Sequence, residues 1–242
     1  TACSSGNYAI SMAFDQIKSG KQDCAVVGGA DGFSRIVFTG FGRLYSVAPE
    51  KCQPFDVNRQ GMIPGEGAGV LVLESLEYAV KRGAKIYAEI LGYGISCDAY
   101  HIIEPSSVGI SKAIECALRM TDIEKKSVDY ICAHGTGTIE NDRAECLAIK
   151  RVFGPLVENI PISSIKSILG HTMGAASAIE SIACCLAIQN GIIPPTINIE
   201  KQDPECDIDC VPNYSRRKKL NIILNNSQAF GGNNLCLVMK GI

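Results

Sequence analysis

Apolar positions recur at helical spacing in residues 7–19. Tyr8, Ile10, Ala13, Phe14 and Ile17 fall close to one face, and Gly20 supplies a stop. The period then changes. Residues 23–28 form a short continuous apolar run ending in Gly28-Gly29, which predicts a buried strand. Residues 32–66 are punctuated by Gly, Pro and Ser and predict loops with short helices. A second buried strand is predicted over 67–73, a helix over 75–83 ending near Gly83, and a long glycine-interrupted strand over 86–95. Beyond residue 96 the alternation resumes. Helices are expected over 107–120, with Ser106 or Ser107 as cap, over 141–153, starting at Asn141 or the residue before it, and over 174–190. Strands are expected over 128–133 and 161–165 and, paired as a hairpin across Gln228–Asn234, over 221–226 and 235–240. Strands alternating with helices argue for an α/β fold with a mostly parallel or mixed sheet. Two units are expected: 1–95, which looks like the remainder of a first half, and 96–242.

Composition narrows what such a chain can do. Of 242 residues 46% are hydrophobic and 20% charged, so the chain can bury a core and is not globally disordered. Lysine and arginine number 23 against 25 acidic residues, which leaves no basic footprint for nucleic acid. The one basic run, Arg216-Arg217-Lys218-Lys219, reads as a solvated turn. No apolar stretch reaches membrane-span length and no signal peptide is evident. Twelve cysteines are too sparse for a small disulfide scaffold. Several sit in apolar runs, such as Cys24 in DCAVVGG and Cys184-Cys185 in IACCLAI. They read as reduced core residues of a cytoplasmic protein. Cys206 and Cys210 come nearest to a ligand pair, but there is no CxxC and only three histidines, so no metal site is expected.

Candidate chemistry clusters in four places. Thr1-Ala2-Cys3-Ser4-Ser5-Gly6 opens a helix. The unpaired N–H groups and positive dipole end there would favour a thiolate at Cys3 and lower its pKa. An inert small residue at a tight turn is the competing reading. His134 follows a strand in AHGTGT, and His171 precedes a helix in KSILGHTMGAA. Both lie where α/β proteins set their sites. A satisfied core histidine is the alternative for either. Lys166 has no charged neighbour in SSIKSILGHTMGAA, which makes it a candidate for a buried, tuned role. Gly231-Gly232 after Phe230 permit close backbone approach or a hinge, unless they serve only as a hairpin turn.

Together these residues resemble the beta-ketoacyl-[acyl-carrier-protein] synthase family, and in particular its elongating synthase II type. The resemblance is carried, in order along the whole chain, by TACSSG, DGFSRIVFTGF, QPFDVNRQGMIPGEGAGVLVLE, KRGAKIYAEILGYG, AHGTGT, SSIKSILGHTMGAASAIES, IPPTIN and AFGGNN. It implies a thiolase-like αβαβα sandwich with an incomplete first half carrying the nucleophile and a second half carrying the His and Lys residues. It implies an acyltransferase, a 3-oxoacyl-[acyl-carrier-protein] synthase, that condenses malonyl-carrier protein with an acyl group held on Cys3 in fatty-acid elongation. A ketosynthase of a type II polyketide or aryl-polyene pathway is an alternative. A non-catalytic acyl-tunnel partner subunit is another, against which the presence of Cys3, His134, Lys166 and His171 argues. A cysteine hydrolase and an initiating synthase fit the two histidine contexts less well.

The resemblance also implies residue roles. Backbone N–H groups of Cys3 and Phe230 would hold the thioester oxyanion. His134 and His171 would donate to the malonyl thioester oxygen. Lys166 would orient His134 or His171 and a glutamate network aligned with Glu145. Thr136 and Thr138 would bind the phosphopantetheine arm, and Phe230, Gly231 and Gly232 would form the gate. No cofactor is expected to be bound, because the substrate rides on the phosphopantetheine of an acyl carrier protein. The partners implied are that carrier, a second copy or a different subunit in a dimer, and a segment preceding the nucleophile, in the same or another chain. The gate departs from the family's usual NSFGFGGTN. Here Gln228 replaces the first aromatic, Ala229 the hinge glycine and Asn233 the threonine, and a stiffer or differently shaped gate, with an acyl preference unlike a housekeeping synthase, is expected.

Overall fold

The computed structural model describes all residues, 1–242. The first helix, α1 (Ser5–Lys18), follows a single 3-10 turn, and β1 (Cys24–Asp31) comes next. A short helix α2 (Arg35–Arg43) stands in the glycine-rich stretch, followed by β2 (Gly67–Glu74), α3 (Leu76–Lys81) and β3 (Glu89–Cys97). Then come α4 (Ser107–Thr121), β4 (Tyr130–Cys132), α5 (Ile139–Phe153), β5 (Ile162–Ser163), α6 (Lys166–Leu169) and α7 (Ala176–Asn190). Two short strands, β6 (Ile192–Ile193) and β7 (Arg216–Arg217), pair with each other. The hairpin β8 (Ile222–Ala229) and β9 (Asn233–Lys240) closes the chain. Ser106 caps α4 by accepting from the Gly109 N–H. Thr138, not Asn141, is the N-cap of α5.

Two sheets set the layers. β1 and β2 pair antiparallel, and a five-stranded mixed sheet runs β3-β9-β8-β4-β5 with β4 parallel to both neighbours. In the larger sheet successive side chains feed two different cores. Ile131, Leu224, Cys236 and Val238 face a cluster with α4 and α5. Tyr130, Ile223, Leu235, Leu237 and Met239 face a second cluster with Ile10 of α1 and Cys184 of α7. A strand buried on both faces reads as one continuous apolar run, which is why period-2 alternation is invisible in its sequence.

Helices α1 and α7 lie between the sheets, since Val27, Leu71 and Leu73 of the small sheet pack on the second cluster. Their approach is close: a Cβ on Gly6 would stand 2.5 Å from the Ala178 nitrogen. The order is therefore helices, sheet, helices, sheet. The outer face of β1–β2 carries no layer, leaving Val26, Val70 and Val72 exposed.

Four expectations change. The division at residues 95 and 96 falls inside β3, which pairs with β9 along its length, so the larger unit takes in Glu89–Cys97. Glycines at 92 and 94 do not interrupt that strand. They let α4 pack against it, because a Cβ at Gly94 would meet the Ala113 carbonyl oxygen at 2.1 Å. Cys24 is exposed on the uncovered face, although eight of the twelve cysteines are buried and all are free thiols. The basic run is partly committed: Arg216 pairs with Asp209, and Lys218 Nζ donates to the Asp129 carbonyl. No helix is long and apolar enough to cross a membrane.

Candidate active site

Most candidate residues sit in turns next to strand or helix ends, while Glu145 lies inside α5. Cys3 occupies the turn leading into α1, and Ala2 before it has φ 45°, a conformation costly for a residue with a Cβ. His134 follows the carboxyl end of β4. Lys166 and His171 follow the carboxyl end of β5, at either end of the α6 turn. His171 is pinned through its backbone, its N–H donating to Ile63 O at 2.7 Å while its own carbonyl accepts from the Gly65 N–H at 2.9 Å. Phe230, Gly231 and Gly232 form the β8–β9 turn.

These elements converge on one cavity of about 350 Å³. Cys3, His134, His171, Thr136, Thr138 and the Phe230–Gly232 turn all line it. The two imidazoles stand edge to face with centroids 5.3 Å apart. Thr136 and Thr138 hydroxyls are 2.8 Å apart at the mouth.

Lys166 is 1% exposed, and its ammonium lies 3.3 Å from His134 Nδ1 and in contact with Glu180. An ammonium can only donate, so Nδ1 of His134 is the acceptor and its proton resides on Nε2. His171 Nδ1 is buried without a partner, so no contact of that kind fixes its tautomer. Burial first, and the Lys166 charge second, hold both imidazoles well below the ordinary histidine pKa. At neutral pH each is uncharged and presents one N–H. Burial raises Glu180 to about 7 despite the opposing pull of Lys166.

The glutamate paired with Lys166 is thus Glu180, not Glu145. Glu145 instead accepts the backbone N–H groups of His134 and Gly135 at 2.8 Å each, clamping the loop that carries the histidine. Sequence reasoning missed Glu180, although a signal existed: it is the only charge in the small-residue helix AASAIESIACC. Phe41 was also missed. Its ring lies 5.3 Å from that of Phe230, so α2 contributes to the lip of the cavity.

One further expectation, the lowered thiol pKa, is corrected. Cys3 lies at a helix start, but burial pushes its thiol up to about 11, with Lys166 pulling the other way. Desolvation outweighs the helix terminus here, so Cys3 rests as a thiol at neutral pH. Ala229 has φ −148°, ordinary extended backbone for alanine, so it carries no strain. The left-handed positions of the gate are Gly231 and Gly232, at 76° and 77°. No group of three or more His, Cys, Asp or Glu side chains is arranged to hold a metal ion.

The family model "Beta-ketoacyl synthase, N-terminal domain" matches residues 1–79, and "Beta-ketoacyl synthase, C-terminal domain" matches 87–200. "Nodulation protein E" of Rhizobium meliloti is 46% identical over 243 residues, which is 100% of this chain and 61% of that protein. "3-oxoacyl-[acyl-carrier-protein] synthase 2" of Synechocystis sp. is 41% identical over 249 residues, 99% of this chain and 60% of that protein. Among solved structures, "The ishigamide ketosynthase/chain length factor" superimposes with a TM-score of 0.98 at 49% identity, covering 100% of this chain and 60% of that one. The chain therefore spans about three-fifths of the length of these relatives.

Proposed function

The chain belongs to the beta-ketoacyl synthase family, and on that premise we propose that it lengthens acyl chains by decarboxylative condensation on Cys3. The observation that carries the reading is one cavity lined by Cys3, His134 and His171, with the buried Lys166 ammonium against His134 Nδ1.

The chemistry follows from the protonation states. In the first half-reaction the Cys3 sulfur attacks an acyl thioester, and the proton its thiol releases is the one the departing carrier thiolate takes up. The tetrahedral oxyanion is held by backbone N–H groups, for which those of Cys3 and Phe230 are the candidates. The carbon–sulfur bond to the carrier breaks, and the carrier thiolate takes a proton. In the second, the malonyl carboxylate leaves as CO2, and the electron pair it leaves behind delocalises onto the thioester oxygen. Neutral His134 donates Nε2–H to that oxygen, and His171 supplies the second donor. Neither removes a proton from carbon. The carbanion then attacks the acyl carbonyl on Cys3, a carbon–carbon bond forms, and the Cys3 thiolate is expelled.

Lys166 is a positioning residue in this scheme. Its ammonium keeps the His134 proton on Nε2, and Glu180 holds the ammonium. Thr136 and Thr138 are placed to hydrogen-bond a phosphopantetheine arm. The substrate class proposed is acyl and malonyl thioesters on a carrier protein, as the name of the Synechocystis relative indicates for that protein. A dimer with a second copy, or with a chain-length-factor-like subunit, is proposed on the likeness to the ishigamide structure.

Intact-mass and peptide-mapping measurements after incubation with an acyl-carrier thioester test the first half-reaction. A single adduct on Cys3, absent in Cys3→Ala, is expected. Labelling elsewhere, or none in the native full chain, overturns the proposal. Release of CO2 from malonyl-carrier protein, lost in His134→Ala, tests the second.

A further inference from the structure

The cavity wall contains a polar group the scheme above does not use. Gln228 lies near the end of β8, is 4% exposed and lines the cavity. Its amide nitrogen donates to Glu145 Oε1 at 3.4 Å. That contact fixes the sense of the amide, because the carboxylate accepts and cannot donate. The carbonyl end, Oε1, is buried and has no partner.

An unpaired buried carbonyl oxygen loses its hydrogen bonds to water and gains nothing in return. Its neighbours do not relieve it. The Asn226 amide two residues earlier also donates to Glu145 Oε1 and leaves its own carbonyl oxygen unpaired. Glu145 already takes both backbone N–H groups of the His134 loop. The 3.4 Å contact is long, so the Gln228 amide is held weakly beside the cavity it lines.

A saturated alkyl chain in the cavity leaves this buried carbonyl as it stands, unsatisfied. A chain carrying a hydroxyl group within reach of Gln228 supplies the donor. We infer that Gln228 makes this site selective for acyl groups carrying a hydroxyl donor along the chain, over saturated chains of the same length. The inference rests on the acyl-transfer reading above and deepens it by naming the substrate class. A site built around such a polar contact discriminates by the penalty of leaving it unmade, here roughly 10- to 100-fold.

The test uses the native full chain and compares acylation of Cys3 by hexanoyl, 3-hydroxyhexanoyl and 5-hydroxyhexanoyl groups on the same carrier protein, read by intact mass. The ratio of kcat/KM for each hydroxylated chain to hexanoyl is taken within each protein, so partial loss of folded enzyme cancels. A ratio of about 10 or more for at least one hydroxylated chain is expected in the native enzyme, falling toward unity in Gln228→Met. Equal ratios in the native enzyme overturn the inference, for instance because a resident water already satisfies the carbonyl. A preference that survives Gln228→Met also overturns it, by assigning the selection to another residue. Absence of any adduct on Cys3 from all three chains overturns the acyl-transfer reading, and this inference with it. A Cys3 adduct without preference removes only the inference.

Discussion

The floor and the lip of the cavity are built on opposite terms. The floor, comprising Cys3, His134, Lys166, His171, Glu145 and Glu180, is at most 9% exposed. It is tied by direct contacts: ammonium to imidazole, ammonium to carboxylate, and carboxylate to two backbone N–H groups. The lip is α2 with Leu44 and Tyr45, the loop from His101 to Pro105, and the Phe230 turn. Helix α2 has no buried residue, Tyr45 is 91% exposed, and the lip is joined chiefly by the Phe41–Phe230 contact and one bond from the Gly231 N–H to Ile102 O. Chemistry that depends on proton positions needs fixed donors, whereas admission of a long substrate needs surfaces that part easily. Under the proposed function, one polar network serves both folding and catalysis on the floor, while the lip is free to vary.

This contrast orders the expected effects. Removing Lys166 by Lys166→Met strips the buried Glu180 of its countercharge, and a loss of about 3–5 kcal/mol in unfolding free energy is expected by denaturant titration. A loss under 1 kcal/mol would mean that the floor is not held by this pair. His134→Ala removes one donor to the enolate. Measured at matched folded fraction, it should lower malonyl decarboxylation by roughly 100- to 1000-fold.

Next comes pH. With Cys3 raised to about 11, the rate of its alkylation by iodoacetamide should climb close to tenfold per pH unit from 7 to 9, as the thiolate fraction grows. A plateau beginning near pH 7 would show that the helix terminus prevails after all. Glu180 is raised from 4.5 to about 7, so the folded state holds its proton more tightly than the unfolded chain does. Its contribution is fully present below about pH 4.5 and is lost as pH rises through about 7. Relative to Glu180→Gln, the native protein should therefore lose melting temperature between pH 5 and 8.

The smallest effect is expected at the lip. Since Ala229 is unstrained at φ −148°, Ala229→Gly should cost about 0.5–1 kcal/mol through backbone entropy alone. If it instead changed the acyl-length preference, the gate would pass through a left-handed state at this residue that the closed form does not display.

Much of the floor was legible in the sequence because its residues sit in unusual company. A lysine without charged neighbours, two histidines among glycines and threonines, and a cysteine opening a helix each break the local pattern. The element order was legible for the same reason, since the helical period and the continuous strand runs alternate without ambiguity. Glu180 escaped because its partner lies fourteen residues away across the α6 turn. The α2–gate contact escaped because glycines at 40 and 42 mask the helical pattern.

By itself the sequence determined which residue types could do acyl chemistry, and that strands would alternate with helices, because both depend on local identity and spacing. The tertiary structure decided the rest. It chose Glu180 over Glu145 as the partner of Lys166, placed β3 in the larger sheet, and left the Gln228 carbonyl unpaired. It also set the thiol of Cys3 above its ordinary pKa. Each of these depends on which surfaces exclude water from which groups, and burial is a property of the packed chain, not of any segment of it.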